Sequence, residues 1–328
     1  MSKSLGNGID PAEICDKFGA DVLRLWVSSV DYSQDVSISE GILKQVSDAY
    51  RRIRNTFRFL LGNLDDFDAA ADATSTWDEL EPVDRYMMAK TAALLADVEE
   101  SWDAFRFNGV YRAVYDFVND LSSVYMDVTK DRLYSEAADS PRRRAVQTVL
   151  MNILEVLVRV MAPILSFTCD EVWEFYPPAA RNVPGRPDSV QLAGWPEASD
   201  FAPAFTREQA EKALQAFAPA IQARDAVTKA LEDARNSKQI NKSQEAAIEL
   251  AVPAEDMPAL EAIGNEALAD LFIVSYVALH EGGDFEAKVL AAAGGKCERC
   301  WNYRELGTVA GHPDVCERCA EVLDGGAR

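Results

Sequence analysis

Along the first two thirds of the chain, apolar residues return every three or four positions, the period of a helix buried on one side. Asp10-Pro11 predicts a helix through about Val27, with Asp as the cap and Pro in the first turn. Ser39 caps the next helix, which places Ile42, Val46, Ala49, Tyr50, Ile53, Phe57 and Leu60 on one face. Pro82 starts a third, carrying Leu94, Leu95, Val98, Trp102 and Phe105, and a fourth runs from about Asn108 to Leu133. Ser140-Pro141 starts the longest, to about Tyr176, with a kink at Pro163. Helices of this length, joined by short polar turns, bury their stripes most simply in an antiparallel bundle.

Pro177-Pro178 ends that pattern, and residues 177–204, rich in Pro, Gly and Ala, read as a traversing loop. A further helix spans about Thr206 to Ser237. The period then shortens. Ala247–Val252, Leu271–Leu279 and Phe285–Ala292 lean to strand, with a helix near Met257–Ala269 between the first two. Gly294-Gly295 breaks into a Cys-rich tail. The expected fold is mainly α: a helical bundle, then a small α/β domain, then the tail. The division this predicts is 1–38, 39–200, 201–293 and 294–328.

Composition narrows the class. In 328 residues, 48% hydrophobic and 27% charged, there is material for sizeable cores and no sign of a disordered or fibrous chain. The formal charge of −21 argues against a coat of basic charge but leaves room for a local basic face. Acid is concentrated between Gly62 and Asp103, where 12 Asp/Glu meet 2 Lys/Arg. No apolar signal segment follows Met1. The most apolar stretch, Ala145–Cys169, carries Glu155, Arg159 and Pro163 and reads as a buried helix rather than a membrane span. A cytoplasmic protein is expected, and its six cysteines are then thiols or metal ligands.

Four of these cysteines form two knuckles, Cys297-Glu-Arg-Cys300 and Cys316-Glu-Arg-Cys319, separated by 15 residues. Each tight turn places two sulfurs together, so two turns can close a tetrahedron around Zn2+. The alternatives are free thiols or disulfides. Four thiolates leave no open coordination position, which predicts one structural Zn2+ per chain, its binding supplying the folding energy of a tail too small for a core. His312, between the knuckles, reads as a loop residue, and His280, after an apolar run, as a satisfied structural histidine. Two histidines leave little material for acid–base catalysis. Cys15 and Cys169 fall on helical patterns and read as small core residues. Trp301, next to Cys300, either covers the metal site or offers a stacking platform to a nucleic-acid base.

Cations gather in two places. Lys44, Arg51, Arg54 and Arg58 fall within an arc of roughly 80° on the Ser39 helix, off its apolar face. They suit a phosphate backbone; the alternative is a solvated face with local pairs such as Asp48 to Arg52. Arg235, Lys238 and Lys242 lie in an acid-free segment, residues 235–243, at the end of a helix, where cations also suit the helix dipole. The acidic stretch 62–103 would then be a face turned away from a polyanion.

The opening, Met1-Ser-Lys-Ser-Leu-Gly-Asn-Gly-Ile-Asp-Pro11, resembles the second signature loop of class I aminoacyl-tRNA synthetases, Lys-Met-Ser-Lys-Ser, with its first Lys falling just before Met1. Phe18-Gly-Ala-Asp-Val-Leu-Arg-Leu-Trp-Val27, Tyr32-Ser-Gln-Asp-Val36, Tyr50-Arg-Arg-Ile-Arg-Asn-Thr-Phe57, the segment 234–246 and the two knuckles resemble, in order, the bacterial type of isoleucyl-tRNA synthetase. Asn241 and Gln244 depart from that pattern, where Gly and Leu are expected. The resemblance implies a carboxy-terminal fragment cut inside the loop, in which residues 1–38 end the catalytic region. It implies an anticodon-binding bundle over 39–200, a junction domain over 201–293 and a zinc tail over 294–328. It implies tRNA(Ile) as partner, with no DNA and no membrane, and a monomer. Lys3 would meet ATP phosphates, with ATP and Mg2+ bound only by the full-length enzyme. No catalytic residue is expected in the fragment, which alone would be inactive. Arg235, Lys238, Lys242, Trp301 and the stripe become expected RNA contacts. The competing reading is a zinc-stabilised scaffold for a partner protein.

Overall fold

A computed structural model of the chain describes residues 10–181 and 185–325, so Lys3 lies outside the described residues. The helices of the first part are α1 (Pro11–Phe18), α2 (Ala20–Ser29), α3 (Glu40–Gly62), α4 (Ala69–Asp72), α5 (Pro82–Asp103) and α6 (Phe107–Asp120). There follow α7 (Met126–Val128), α8 (Lys130–Ser135), α9 (Pro141–Met161), α10 (Ser166–Glu174), α11 (Pro178–Arg181) and α12 (Arg207–Asn236). The remainder is β1 (Ala246–Pro253), α13 (Met257–Ile263), α14 (Asn265–Phe272), β2 (Tyr276–Gly282), β3 (Glu286–Ala291), β4 (Gly295–Lys296), β5 (Tyr303–Arg304) and α15 (Glu317–Gly325). They form two compact units: residues 1–76, 90–122 and 147–204 in the first, and 77–89, 123–146 and 205–328 in the second.

In the first unit, α3 buries Val46, Ala49, Ile53, Phe57 and Leu60 of the stripe its period predicts, while Leu43 is buried in place of Ile42, and Ile42 and Tyr50 are only half-buried. Ser39 Oγ accepts the Ile42 N–H as the expected cap. The first helix is two: Gly19, at φ 92°, takes a backbone conformation closed to most residues and turns the chain between α1 and α2. The longest helix also differs from expectation. It ends at Met161 and resumes as α10 at Ser166, a break rather than a kink. Pro163 cannot continue the ladder, and one turn of α2 satisfies both loose ends. Arg24 Nε and Nη2 donate to the carbonyls of Ile164 (2.9 Å) and Pro163 (2.6 Å). Asp21 accepts the Thr168 N–H and hydroxyl at 2.7 and 2.6 Å, capping α10, which has no cap of its own.

The second unit holds the three-stranded sheet, ordered β2-β1-β3, with β1 parallel to β2 and antiparallel to β3. β1 alternates strictly, burying Ala246, Ile248, Leu250 and Val252. α12 packs on β1 and β3 through a helix about 45 Å long, and buries Ala220, Ala223, Val227, Leu231 and Ala234. Thr206 and Gln209 close its first turn as a capping box. The predicted helix near Met257 is divided by Gly264, at φ 87°. Residues 271–272, expected in a strand, end α14 instead, and β2 begins only at Tyr276. β2 is an edge strand. Val277 is buried, whereas Ala278 and His280, the latter expected as a satisfied structural histidine, lie exposed on its open face.

The predicted fourth helix is also interrupted. A π turn over Leu121–Tyr125 and a break at Thr129 separate α6, α7 and α8. The reason for α8 lies in the core of this unit. Arg132, 2% exposed, donates to both carboxylate oxygens of Asp84, at 3.1 and 2.7 Å, to Glu81 at 3.0 Å and to the Arg142 carbonyl at 2.7 Å. The Tyr125 hydroxyl donates to Asp84 at 2.7 Å. Burial and the Asp84 charge push that phenol well above its usual range, so it stays a donor.

The acidic stretch is therefore not one solvated face. Asp84 is wholly buried, Glu81 pairs with Arg132 and Arg142, and Asp68 caps α4; Asp97, Glu99 and Asp103 remain exposed. Removing one partner of a buried pair strands the other charge. Arg132→Ala should lower the unfolding free energy of the second unit by about 3–5 kcal/mol. A guanidinium titration showing a loss below about 1 kcal/mol, the range of exposed pairs, would mean that the pair does not hold this core.

Candidate metal centre and nucleic-acid interface

β4 and β5 form a hairpin whose tip is the first knuckle. Its turn is closed by Cys297 N–H to the Asn302 carbonyl at 3.0 Å and Trp301 N–H to the Cys297 carbonyl at 2.9 Å. Gly294, at φ 93°, runs so close to Arg304 that an added Cβ would lie 2.4 Å from the Arg304 carbonyl oxygen. The second knuckle opens α15, and Leu306 bridges to Cys316 across the turn.

The sulfurs of Cys297, Cys300, Cys316 and Cys319 all lie within 4.8 Å of one another, with Cys300 and Cys316 at 3.9 Å. A tetrahedron of Zn–S bonds has edges of about 3.8 Å. Leu306 and Val315 pack against the cluster. The Cys316 N–H donates to Cys297 Sγ at 3.4 Å, and Arg299 Nη1 reaches Cys319 Sγ at 3.6 Å. Cys300 donates its proton toward Cys319; that hydrogen bond first, then those of Arg299 and the neighbouring groups, pulls the Cys319 thiol down to about 4. The same bond and burial push Cys300 upward. Four soft donors at tetrahedral spacing fit a structural zinc. His312 bonds Asp324 at 2.8 Å and takes no part in the cluster, as expected of a loop residue. Cys15 is half-buried and Cys169 fully buried, each on a helix.

Trp301 turns much of its indole to solvent. It is 53% exposed, with its backbone at φ 66°, and the ammonium groups of Lys296 and Lys242 lie 5.6 and 5.9 Å from its ring centroid. Arg235, Lys242, Arg299, Trp301 and Asn302 line one groove of about 740 Å3. Asn241 and Gln244, the two departures from the expected segment, line it as well. Lys238 is exposed nearby in sequence, at φ 59° beyond the end of α12. Sequence reasoning missed Lys296 and Asn302. Both flank the first knuckle, and their proximity to its Cys residues was the available signal.

The stripe belongs to the first unit. Lys44, Arg51 and Arg58 are exposed and Arg54 is half-buried. Arg51 pairs with Asp48, which corrects the expected Asp48–Arg52 pair, while Arg52 turns to Asn119. Arg54 stands 3.8 Å from Glu171. Among the described residues, Lys44 and Arg58 have no ion pair. Among those residues, too, no helix is long and apolar enough to cross a membrane.

A mainly helical chain with a basic helix and a four-cysteine module matches a known class. Residues 84–250 match the family described as anticodon-binding domain of tRNA ligase, and the chain belongs to that family. Residues 1–39 match tRNA synthetases class I (I, L, M and V), and residues 294–322 match the zinc finger found in FPG and IleRS. The relatives are isoleucine--tRNA ligases: 45% identity to that of Brevibacillus brevis over 99% of this chain, 43% to that of Moorella thermoacetica over 98% and 47% to that of Bacillus mycoides over 98%. The chain spans 35% of the length of each. The resemblance read from the opening loop, the bundle and the knuckles thus holds along nearly the whole sequence. A solved ternary complex of LeuRS, tRNA and LeuAMS from Agrobacterium radiobacter K84 aligns at 22% identity and a TM-score of 0.46, over 66% of this chain and 23% of that one, too slight to add to the assignment.

If the four sulfurs hold the metal, Cys316→Ser should reduce bound zinc well below one per chain while the circular dichroism of the helices is retained, because those helices have cores of their own. Full zinc in the Cys316→Ser protein would remove Cys316 from the ligand set.

Proposed function

We propose that the chain is the tRNA-reading portion of an isoleucine–tRNA ligase, the full-length enzyme joining isoleucine to tRNA(Ile) with ATP and Mg2+. In this reading one structural Zn2+ per chain sits among the four cysteines. Residues 1–38 end the catalytic region, with Lys3 directed to ATP phosphates. Residues 39–200 hold the anticodon stem, 201–293 join, and 294–328 present Trp301. The protein works as a monomer in the cytoplasm.

The observation that carries the reading is the open indole of Trp301 beside Lys242 and Lys296, on a groove that Arg235 and Asn302 also line. An exposed aromatic face among cations suits an unpaired base and its phosphate, since every base has a π-face and every linkage a charge. On the stripe, Lys44 and Arg58 can give their charge to phosphate most freely, whereas Arg51 and Arg54 share theirs with a carboxylate.

A salt titration of tRNA(Ile) binding tests this. Arg58→Ala should weaken cognate and non-cognate RNA alike and reduce the slope of log K against log[salt] by roughly 0.7–0.9. Arg54→Ala should do so less. Trp301→Ala should cost about 1–3 kcal/mol with the slope unchanged. Equal affinities and slopes for all three variants and the parent would reduce the stripe to a solvated face and remove Trp301 from the interface.

The class I synthetase match is confined to residues 1–39. One signature loop without its partner cannot surround ATP, so the chain alone should form no isoleucyl-adenylate. Isoleucine-dependent exchange of pyrophosphate into ATP above background would contradict this.

A further inference from the structure

Each knuckle carries Arg at its third position, and both arginines reach the same short helix. Arg318 grips Asp131 of α8 with two parallel bonds, Nη1 to Oδ2 at 2.6 Å and Nη2 to Oδ1 at 2.9 Å, and stands 3.3 Å from Glu136. Arg299 donates to the carbonyl of Ser135, the last residue of α8, while the same guanidinium reaches Cys319 Sγ. A two-pronged guanidinium–carboxylate pair fixes orientation as well as distance. That fork on one knuckle and the Arg299 bond to the Ser135 carbonyl on the other leave the module little freedom to rotate over α8. On the other side, Ser275 Oγ accepts the Tyr303 N–H at 2.7 Å and donates to the Gln244 carbonyl at 2.6 Å, joining the hairpin to the basic segment. Between these tethers lies the groove, with Asp131 and Ser135 on one wall, Lys242 and Gln244 on another, and Trp301 on the knuckle itself.

We infer that Arg299 and Arg318 are positioning residues: they clamp the four-cysteine module to α8 and thereby fix where Trp301 stands over the groove. As a role in RNA binding, this rests on the reading proposed above. The arginines contact neither a base nor the metal in this scheme. They act through the knuckle backbone, as outer partners of a metal site orient its ligands. Sequence and geometry are consistent here: a Lys in place of Arg318 keeps the charge but loses the fork.

The test uses the full chain, zinc-loaded and labelled with 5-fluorotryptophan, the Trp301 resonance being assigned by its loss in Trp301→Phe. Arg318→Ala should keep its zinc, shift or broaden the Trp301 line without RNA, and weaken tRNA(Ile) binding about tenfold, within the loss that removing a stacked aromatic causes, with the salt slope unchanged. Asp131→Asn, which leaves both knuckles intact, should move the same line and decides the matter if Arg318→Ala sheds its metal. Arg318→Lys should restore affinity only in part. Adding Trp301→Ala to Arg318→Ala should cost less than about twofold more, since coupled groups are not additive. An unmoved Trp301 line in zinc-replete Arg318→Ala or Asp131→Asn overturns the inference, as does full additivity of the two losses. A moved line in a protein whose parent binds no tRNA supports the clamp and refutes the RNA reading instead.

Discussion

The second unit depends on one buried charge. A guanidinium removed from water is costly unless its donors are all matched, and Arg132 is matched by Asp84, Glu81 and the Arg142 carbonyl. Its partners come from the start of α5 and the start of α9, so satisfying one side chain fixes where three helices meet. α8, only six residues long, could not persist on backbone bonds alone. Held by Arg132, it becomes a rigid shelf. Asp131 next to Arg132 and the Ser135 carbonyl then offer the shelf's outer side to the cysteine module. Order passes from a buried ion pair to a metal module and from there to an exposed tryptophan.

Periodicity made the long elements legible. The α3 stripe, the capped start of α12 and the alternation of β1 are local properties, and local patterning sets them. Breaks were harder to read. Gly19 and Gly264 sit inside helical patterns and could as well have been tolerated there. The interruption after Met161 is stable because Arg24 donates to its loose carbonyls and Asp21 accepts its loose N–H, both some 140 residues away. No local window contains that information. The same holds for the acidic stretch, where Asp84 looks like its neighbours in sequence and behaves unlike them because a distant Arg132 needs it.

The site was legible to the extent that its chemistry is repetitive. Two C-x2-C turns give a metal centre away, since little else needs four thiols at that spacing. The basic stripe is an amphipathic pattern and was visible for that reason. What surrounds Trp301 was only partly visible: Lys296 and Asn302 flank it in sequence, whereas Lys242 comes beside its ring only in the folded chain. The repeated Arg in Cys-Glu-Arg-Cys was in plain view. Its meaning needs the partner, α8, which a sequence does not place.

Ser275 has a single hydroxyl, and two segments share it. Its oxygen holds the amide of Tyr303, and its hydrogen holds the carbonyl of Gln244. When that side chain rotates, both bonds open together. Hairpin and segment are thus tied through one hydroxyl rather than through two separate contacts. A bound strand that held one of them in place would bear on the other through that shared hydroxyl, with no contact of its own.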